Sequence, residues 1–216
     1  IASSIAMDKE ISKKLFIKNK IKTPKFFTYS YDISKSNLIE KINIDLGFPV
    51  VIKPLNEGSS VNVYITNKKV LDKILYKLRV YKKVLIEEFI GGREIQVAIM
   101  GDKKLGAIEL KPKRKFYDYQ AKYDSKSKTQ HIIPVDLPKS KFNKVMDIAY
   151  KAHKIIGCRG VTRSDFKFFN GNFYLLELNT QPGMTKLSLV PEIAFYKGIS
   201  FLKLIEWMLK DASKKK

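Results

Sequence analysis

The sequence has little of the chemistry that builds disulfide-rich, zinc-binding or membrane proteins. Its 216 residues include one cysteine, Cys158, and two histidines, His131 and His153, which lie far apart along the chain. A single cysteine excludes an internal disulfide framework and fits a reducing cytosol, and so few Cys and His residues leave no cluster for zinc or copper. No apolar run approaches the ~18 residues needed to cross a bilayer, and the charged start does not resemble a signal peptide. We therefore expect a cytoplasmic protein with no membrane partner.

Arginine is also scarce, although the chain is strongly basic. The formal net charge is +21, yet only five of the 42 Lys and Arg residues are arginines. Base readout and phosphate clamping favour clustered arginine, whereas evenly spread lysine is typical of a solvated surface. We expect no nucleic-acid partner. The alternative is a nucleic-acid binder that uses residues 111–123, "KPKRKFYDYQAKY", where basic residues alternate with aromatics that can stack on bases.

The sequence does have the composition and periodicity of a packed α+β protein. Hydrophobic residues make up 44% and aromatic residues 12% of the chain, which is typical of a globule with a core. Helices are predicted at residues 7–19 (amphipathic, from the spacing of Ile11 and Leu15), 38–47, 68–81, 139–156 and 198–212. Strands are predicted at 48–54, 61–66, 84–90 and, as a meander, 91–110; residues 21–30 are predicted to be extended and 111–134 to form a long loop. The pair Gly91-Gly92 is a candidate domain boundary.

The most informative stretch is a hairpin that carries two carboxylates. In residues 164–179, "SDFKFFNGNFYLLELN", apolar runs flank Asn-Gly, a strong hairpin signal. A three-residue loop, "NGN", predicts the cross-strand pairs Phe169–Phe173, Asp165–Glu177 and Arg163–Asn179. Opposed carboxylates repel unless a cation lies between them, and two carboxylates with an amide oxygen suit Mg²⁺. The alternative is a hairpin whose polar face is solvated.

Two further segments suit a nucleotide. "IKPLNEGSS" places Lys53 at the end of a buried strand, before a Gly-Ser loop that contains Ser59. A lysine there can meet a phosphate as a point charge, and the loop can wrap it with backbone N–H groups, although this is not a Walker A motif. "VLIEEFIGGRE" supplies the carboxylates of Glu87, Glu88 and Glu94, which can bind an adenine amino group or ribose hydroxyls. Each segment alone is also compatible with an ordinary loop or an exposed strand end.

Together these segments resemble the ATP-grasp enzymes, and more narrowly the D-alanine–D-alanine ligases. The motifs occur in the order "MDK", "VVIKPLNEGSS", "VLIEEFIGGRE", "FYDYQAKY", "GVTRSDF" and "LLELNTQPGMTKLSLVP", through essentially the whole chain. The resemblance implies two α+β subdomains, residues 1–92 and 93–216, which hold the nucleotide between their antiparallel sheets. It implies ATP and two Mg²⁺ ions as cofactors, with Mn²⁺ as an alternative metal. It also implies two molecules of D-alanine as substrates and a homodimer, as is common in the family.

The resemblance further implies roles for individual residues around ATP. Lys9 and Lys53 contact the phosphates, and Ser59 lies in the small loop that closes over them. The other implied ATP-binding residues are Glu87, Glu88, Ile90, Glu94 and Lys122. The implied ligands of Mg²⁺ are Asp165, Glu177 and Asn179.

The reaction that the resemblance implies has two steps. ATP phosphorylates the carboxylate of the first D-alanine to give an acyl phosphate, and the amine of the second D-alanine then attacks its carbonyl carbon. Arg163 and the Gly183 N–H are the implied donors to the tetrahedral oxyanion, and Ser188 and Leu189 hold the carboxylate of the second substrate. Tyr123 lies in the "FYDYQAKY" loop that covers the site and favours D-alanine as second substrate. The product, D-alanyl-D-alanine, serves the synthesis of peptidoglycan, and so the bacterial cell wall and cell shape.

The sequence departs from the family pattern in a few places. Asn62 stands where the family usually has glycine, which is expected to stiffen the phosphate loop. Ser164 replaces an apolar residue on the face opposite Asp165, and Gln181 with Lys186–Leu187 alters the surroundings of the second substrate. The family's N-terminal domain, which meets the first D-alanine, is absent before "MDK", so we expect these 216 residues to bind Mg-ATP but to ligate poorly or not at all. The alternatives are an inactive fragment of such a ligase and a different ATP-grasp carboxylate–amine ligase.

Overall fold

The computed structural model describes residues 1–111, 129–185 and 187–214. Its helices are α1 Ala2–Met7, α2 Lys9–Lys18, α3 Lys35–Asp45, α4 Leu71–Leu78, α5 Lys139–Ile156, α6 Leu189–Tyr196 and α7 Phe201–Ala212, with a 3₁₀ turn at Arg79–Tyr81. Its strands are β1 Phe26–Ser30, β2 Val50–Pro54, β3 Tyr64–Thr66, β4 Lys83–Glu88, β5 Arg93–Met100, β6 Lys103–Lys111, β7 Gln130–Ile132, β8 Val161–Phe169 and β9 Asn172–Asn179. The loop with Lys122 and Tyr123 lies outside the described residues.

The first sheet contains β1 to β4 in the order β1-β4-β2-β3, and all neighbouring strands are antiparallel. Helices α3 and α4 bury their apolar stripes against it. Leu38 and Ile42 of α3 and Leu71 and Leu78 of α4 pack with the β-branched side chains of β2, such as Ile52. The helical period of 3.6 and the strand period of two therefore supply matching apolar faces, which fix this layer.

The second sheet has the order β7-β6-β5-β8-β9, again antiparallel throughout, with helices on both faces. Alternate residues of β5 show the two faces, because Ile95 and Val97 join a core cluster with α5, whereas Ala98 and Met100 join one with α6 and α7. Helices α1 and α2 lie with α5, where Phe16 is fully buried. The two sheets confirm the predicted α+β class; the subdomain limits 1–92 and 93–216 stay a prediction.

The predicted helix at residues 7–19 is present, but it begins later and turns a different face to the protein. Asp8 separates α1 from α2, and its carboxylate caps α2 by accepting hydrogen bonds from the N–H groups of Glu10 and Ile11, both at 2.9 Å. Ile11 is 51% exposed, whereas Lys9, Ser12, Lys13 and Phe16 are buried. The amphipathic prediction was therefore wrong about the buried face. Glu87 on the first sheet holds Lys13 inside, whereas Glu177 on the second sheet and carbonyl oxygens of the β2–β3 loop hold Lys9.

The hairpin of β8 and β9 forms the predicted pairs at the site, but its turn differs from the predicted one. The predicted three-residue loop was wrong: Asn170 and Gly171 form a two-residue turn with φ of 46° and 72°, and Phe169 pairs with Asn172. A register shift after Phe166 then leaves Leu176 without a partner and brings Asp165 opposite Glu177 and Arg163 opposite Asn179. The β-bulge shifts the register by one residue. The pairs at the site are therefore the predicted ones, although the predicted loop length was wrong.

The other predicted elements are present, and all but α5 have shifted ends. Four elements were not predicted, and the first of them is α1, which precedes the first predicted helix. The helix at 139–156 is α5, and those at 38–47, 68–81 and 198–212 correspond to α3, α4 and α7. Strand β1 lies in the segment predicted only to be extended, β7 in the predicted long loop, and α6 in a stretch with no prediction. Among the helices of the described residues, none is long and apolar enough to cross a membrane.

Candidate functional site

Two adjoining clefts contain all the predicted site residues that the structure describes. Residues of both sheets line the first cleft, and residues of the hairpin and of the turn before α6 line the second. The predicted residues on the first are Lys9, Lys53, Glu87, Glu88, Ile90, Glu94 and Asp165. Those on the second are Ser59, Arg163, Asn179, Gly183, Ser188 and Leu189. Glu177 lines both clefts, so the two are neighbours.

A buried group of two lysines and one glutamate forms one wall of the first cleft. Lys53 on β2 donates to Glu87 Oε1 on β4 at 2.5 Å, and Lys13 Nζ on α2 forms an ion pair with Glu87 Oε2 at 2.8 Å. The glutamate is 3% exposed and Lys13 is fully buried. Burial by itself would raise the pKa of Glu87, but the two ammonium groups outweigh it and hold the pKa below its ordinary value. Glu87 is therefore ionised at neutral pH.

The loop between β2 and β3 is held in an unusual backbone conformation above the first cleft. Ser59, Ser60 and Asn62 have φ of 52°, 58° and 56°, a region that L-residues rarely adopt. Asn62 tolerates it well, and its Nδ2 donates to the Tyr81 hydroxyl at 2.7 Å. Lys9 fixes the other end of the loop, because its Nζ donates to the carbonyl oxygen of Glu57 at 2.5 Å. Backbone N–H groups in such a loop can wrap an anion.

The polar face of the hairpin lies between the clefts. Arg163 binds both carboxylate oxygens of Asp165, with Nε to Oδ1 at 2.7 Å and Nη2 to Oδ2 at 2.9 Å. Glu177 lies across from Asp165, and its Oε2 is 3.9 Å from Lys9 Nζ. The described residues contain no cluster of three or more His, Cys, Asp or Glu side chains suited to a metal. A magnesium ion here would need two carboxylates and the amide of Asn179.

These side chains fit such an ion chemically. The Asn179 side chain would ligate Mg²⁺ through its amide oxygen, because its Nδ2, which has no hydrogen-bond partner among the described residues, is a donor. A carboxylate has about four lone-pair positions, and Asp165 therefore keeps acceptor capacity beside its two bonds to Arg163. Two carboxylates and an amide are the hard-oxygen donors that Mg²⁺ prefers.

The second cleft is built around a tight turn before α6. Ser188 Oγ accepts a hydrogen bond from the Thr185 N–H at 2.9 Å, so this hydroxyl faces back toward the turn. A Cβ added at Gly183 would lie 2.8 Å from Ser188 Oγ, which is too close for any other residue without a shift. Glycine at this position lets the backbone approach Ser188 and leaves room at the cleft wall.

Comparison with known proteins places this architecture in a family. A family model described as the C-terminus of D-ala D-ala ligase matches residues 15–210. A D-alanine–D-alanine ligase of Pelagibacter ubique (strain HTCC1062) is 70% identical over 213 residues, which cover 99% of this chain and 70% of that protein. The chain belongs to the D-alanine–D-alanine ligase family. It is thus an ATP-dependent ligase, as its motifs predicted.

Other members and solved structures of the D-alanine–D-alanine ligase family agree. The ligase of Wolbachia pipientis wMel is 40% identical, over 98% of this chain and 67% of that protein. A crystal structure of the Bacillus anthracis ligase has a TM-score of 0.84 at 33% identity, covering 98% of this chain and 68% of that one. A second structure of that ligase, complexed with ATP, has a TM-score of 0.81 at 29% identity, over 98% and 67% of the two chains. The predicted ATP-grasp fold is confirmed.

Sequence reasoning missed several residues at the site of this D-alanine–D-alanine ligase. Lys13 holds Glu87, and Lys167 on β8 forms an ion pair with Glu94 at 3.0 Å. Gln96 on β5 donates to the same glutamate at 3.3 Å, and Leu176, at the bulge, lines the first cleft. The one sequence signal for Lys13 was its position four residues after Lys9, which puts both lysines on the same face of α2.

Proposed function

We propose that the first cleft binds Mg-ATP and that the second cleft binds D-alanine, so that the chain joins two D-alanines into D-alanyl-D-alanine. The observation that carries this proposal is the position of Glu177, which lines both clefts. The terminal phosphoryl group of ATP would lie where the two clefts meet. It would then be next to the carboxylate of a D-alanine bound in the second cleft. Use of ATP, together with the single cysteine, favours the cytoplasm as the place of the reaction.

The lysines of the first cleft would hold the phosphates. Lys53 projects from a buried strand, and Lys9 lies 3.9 Å from the carboxylate of Glu177 at the junction. Catalysis of phosphoryl transfer is mostly positioning and charge stabilisation, and fixed ammonium groups supply both. On this proposal the γ-phosphoryl group passes to a carboxylate oxygen of the first D-alanine, the bond to the β-phosphate oxygen breaks, and ADP leaves.

Magnesium would bind on the polar face of the hairpin. Asp165, Glu177 and Asn179 would hold it, and when bound it would offset negative charge on the ATP phosphates. The hairpin's own contribution is to keep the three side chains on one face, through the opposed pairs of β8 and β9. The ion pair between Arg163 and Asp165 orients the carboxylate in that arrangement.

The second cleft would carry the bond-forming step. The amine of the second D-alanine attacks the carbonyl carbon of the acyl phosphate, loses a proton and displaces inorganic phosphate. Arg163 and the Gly183 N–H line this cleft and would donate to the oxyanion that forms. Ser188 and Leu189 begin α6, where N–H groups at a helix start suit a carboxylate. The product is a dipeptide of the kind used in peptidoglycan precursors.

The proposal is tested by the thermal stability of the chain with ATP, with Mg²⁺, with both, and with neither. A ligand at about 100 times its Kd stabilises the folded state by about 2.7 kcal/mol, which for a domain of this size is a Tm rise of roughly 5–10 °C. We expect that rise only with ATP and Mg²⁺ together, and we expect Glu177→Ala to lose it because one metal ligand is gone.

Glu40→Ala is the matched control, because Glu40 is an exposed carboxylate on α3 that lines neither cleft. This variant should show the full rise. An equal rise in Glu177→Ala, or no rise in the unchanged chain under any condition, would contradict the proposal.

A further inference from the structure

Lys13 is a fully buried lysine that lines neither cleft. It lies behind Glu87, on the side away from the first cleft. We propose that Lys13 is a positioning residue of the nucleotide site, which neutralises Glu87 so that the positive charge of Lys53 remains available to a phosphate. This inference rests on the proposed function, since it concerns the same first cleft.

The contacts of Glu87 divide its carboxylate between two lysines. One oxygen, Oε1, accepts from Lys53 at 2.5 Å, and the other, Oε2, is 2.8 Å from Lys13 Nζ. Lys13 also donates to the Thr23 hydroxyl at 2.5 Å and lies 5.2 Å from the centre of the Phe26 ring. Thr23 and Phe26 thus hold the ammonium against the rear of the carboxylate, while Lys53 and Glu87 themselves line the cleft.

The sum of charges explains why a second lysine is needed. Lys53 and Glu87 alone would form a neutral pair, whose field at the cleft largely cancels. With Lys13 the buried group carries a net charge of +1, which is costly to bury unless an anion is near. Such an arrangement is poorly suited to stability alone and well suited to an anionic ligand in the first cleft.

The protonation states of Lys13 and Glu87 agree with a net charge of +1 for the buried group. Burial lowers the pKa of Lys13 to about 8, and Glu87 with its negative charge opposes that effect. Lys13 is therefore still protonated at neutral pH. The other charged groups that act on it are Lys53 from β2 and Glu177 from β9.

The test compares the affinities of ATP and adenosine for the unchanged chain and its variants at neutral pH with Mg²⁺ present. The ratio of the two Kd values isolates the contribution of the phosphates from that of the base and ribose. We expect Lys13→Met to lower the preference for ATP on the order of tenfold, because one nearby positive charge is lost. Lys14→Met removes the same charge from the exposed side of α2 and should leave the preference unchanged.

A double variant separates neutralisation of Glu87 from other roles of Lys13. Lys13→Met with Glu87→Gln again has a net charge of +1, and the preference for ATP should recover. Glu87→Gln alone keeps both lysines, so the preference for ATP should be unchanged or higher. This variant tests the inference even if Lys13→Met does not fold. A merely structural role would weaken adenosine and ATP alike.

The failures are distinguishable. If the unchanged chain does not prefer ATP to adenosine, the proposed function is wrong and the inference falls with it. If the unchanged chain prefers ATP and Lys13→Met does so equally, only the inference is overturned. A loss in Lys13→Met that the double variant does not restore, or a lower preference in Glu87→Gln alone, would also overturn it.

Discussion

Buried charged side chains, rather than an apolar stripe, hold α2 against the first sheet. Lys9 is 6% exposed and Lys13 is fully buried, and their partners are carboxylates and carbonyl oxygens on β4, β9 and the β2–β3 loop. A buried ammonium is stable only with such partners, so these contacts tie the helix to the place where an anion would bind. Stability and ligand binding therefore depend on the same residues here.

Ser164 is a buried polar residue that has no such partner. It is fully buried on β8, opposite Leu178 and beside Val97, and its hydroxyl has no hydrogen-bond partner among the described residues. An unsatisfied buried hydroxyl costs about 1–3 kcal/mol. We expect Ser164→Ala to raise the free energy of unfolding by about 1 kcal/mol, measured by urea denaturation, and to leave ATP binding unchanged.

Ser12→Ala is the matched comparison for that change. Ser12 is also buried, but its hydroxyl donates to the Lys9 carbonyl oxygen at 3.4 Å, so its removal should not stabilise the chain. Equal stabilisation by both variants would show that buried serines in general, and not the missing partner, set the effect. A destabilised Ser164→Ala would show that the hydroxyl does make a useful contact.

At this scale the sequence predicted which residues gather at the site but not what they touch. Motif order placed Lys53 and Glu87 near each other, because strand ends and loops carry recognisable patterns. The partner of Glu87 on α2 is 74 residues away along the chain, and no local rule of periodicity links Lys13 to it. The periodic rule even favoured Ile11 for the interior, since it treats lysine as a surface residue.

At the scale of elements, the bulge in β9 decides which side chains face the first cleft. Phe173 and Leu175 face the core, and strict alternation would then send Leu176 outward and Glu177 inward. The bulge leaves Leu176 unpaired, and both Leu176 and Glu177 line the cleft, while Leu178 returns to the core. Strand β9 is at the edge of its sheet, so the extra residue disturbs only one neighbour.

Deletion of Leu176 tests the role of this bulge. The shortened strand would alternate regularly, with Leu175 and Leu178 still in the core and Glu177 still beside Asp165, so we expect it to fold with little loss of stability. We expect ATP affinity to fall several-fold, because an apolar side chain leaves the cleft and Glu177 is re-aimed. Isothermal titration with Mg-ATP would measure the affinity and urea denaturation the stability.

Leu176→Ala separates these two causes, because it removes the side chain but keeps the extra backbone residue. If the deletion weakens binding more than the alanine variant does, the bulge itself aims Glu177. Full affinity in the deletion variant would show that neither the bulge nor Leu176 matters to the site. The sequence could not predict the bulge, because the Asn-Gly turn fixes the register only near the turn.

At the scale of the whole molecule, the long periodic helices and the β-rich segments were predictable because each buries a continuous apolar face. Helix α5 was predicted at its full length, and the antiparallel pairs β2–β3, β5–β6 and β8–β9 join strands that are consecutive along the chain. The pairs of β4 with β1 and β2, and of β5 with β8, join distant strands, which local patterns do not specify. The elements that escaped prediction have weak local signals: β7 has three residues, and α6 contains Pro191 within its first turn. These elements are held by long-range contacts, such as that of His131 on β7 with Glu192 on α6 at 2.6 Å.

Residues of both sheets line the first cleft. Its occupation by a ligand is therefore expected to protect strands of both sheets from hydrogen exchange. Lys53 and Glu87 belong to the first sheet, and Asp165 and Glu177 to the second. A ligand that binds all four groups must be released before either sheet opens locally, so it protects both. We expect Mg-ATP to slow amide hydrogen exchange in β2, β4, β8 and β9 together, with little change in α7, which lines neither cleft.

The pattern of protection distinguishes a shared site from a one-sided one. Protection in β2 and β4 alone would mean that the lysines bind phosphate without the hairpin. Protection in β8 and β9 alone would mean that the hairpin binds the ligand without the lysines. Either result would contradict a nucleotide held between two sheets. In Glu177→Ala, which lacks a carboxylate that lines both clefts, the protection should be lost from both sheets, as the rise in Tm is. Protection that persisted in β2 and β4 of this variant would show that the first sheet binds ATP without Glu177, and would contradict the shared site.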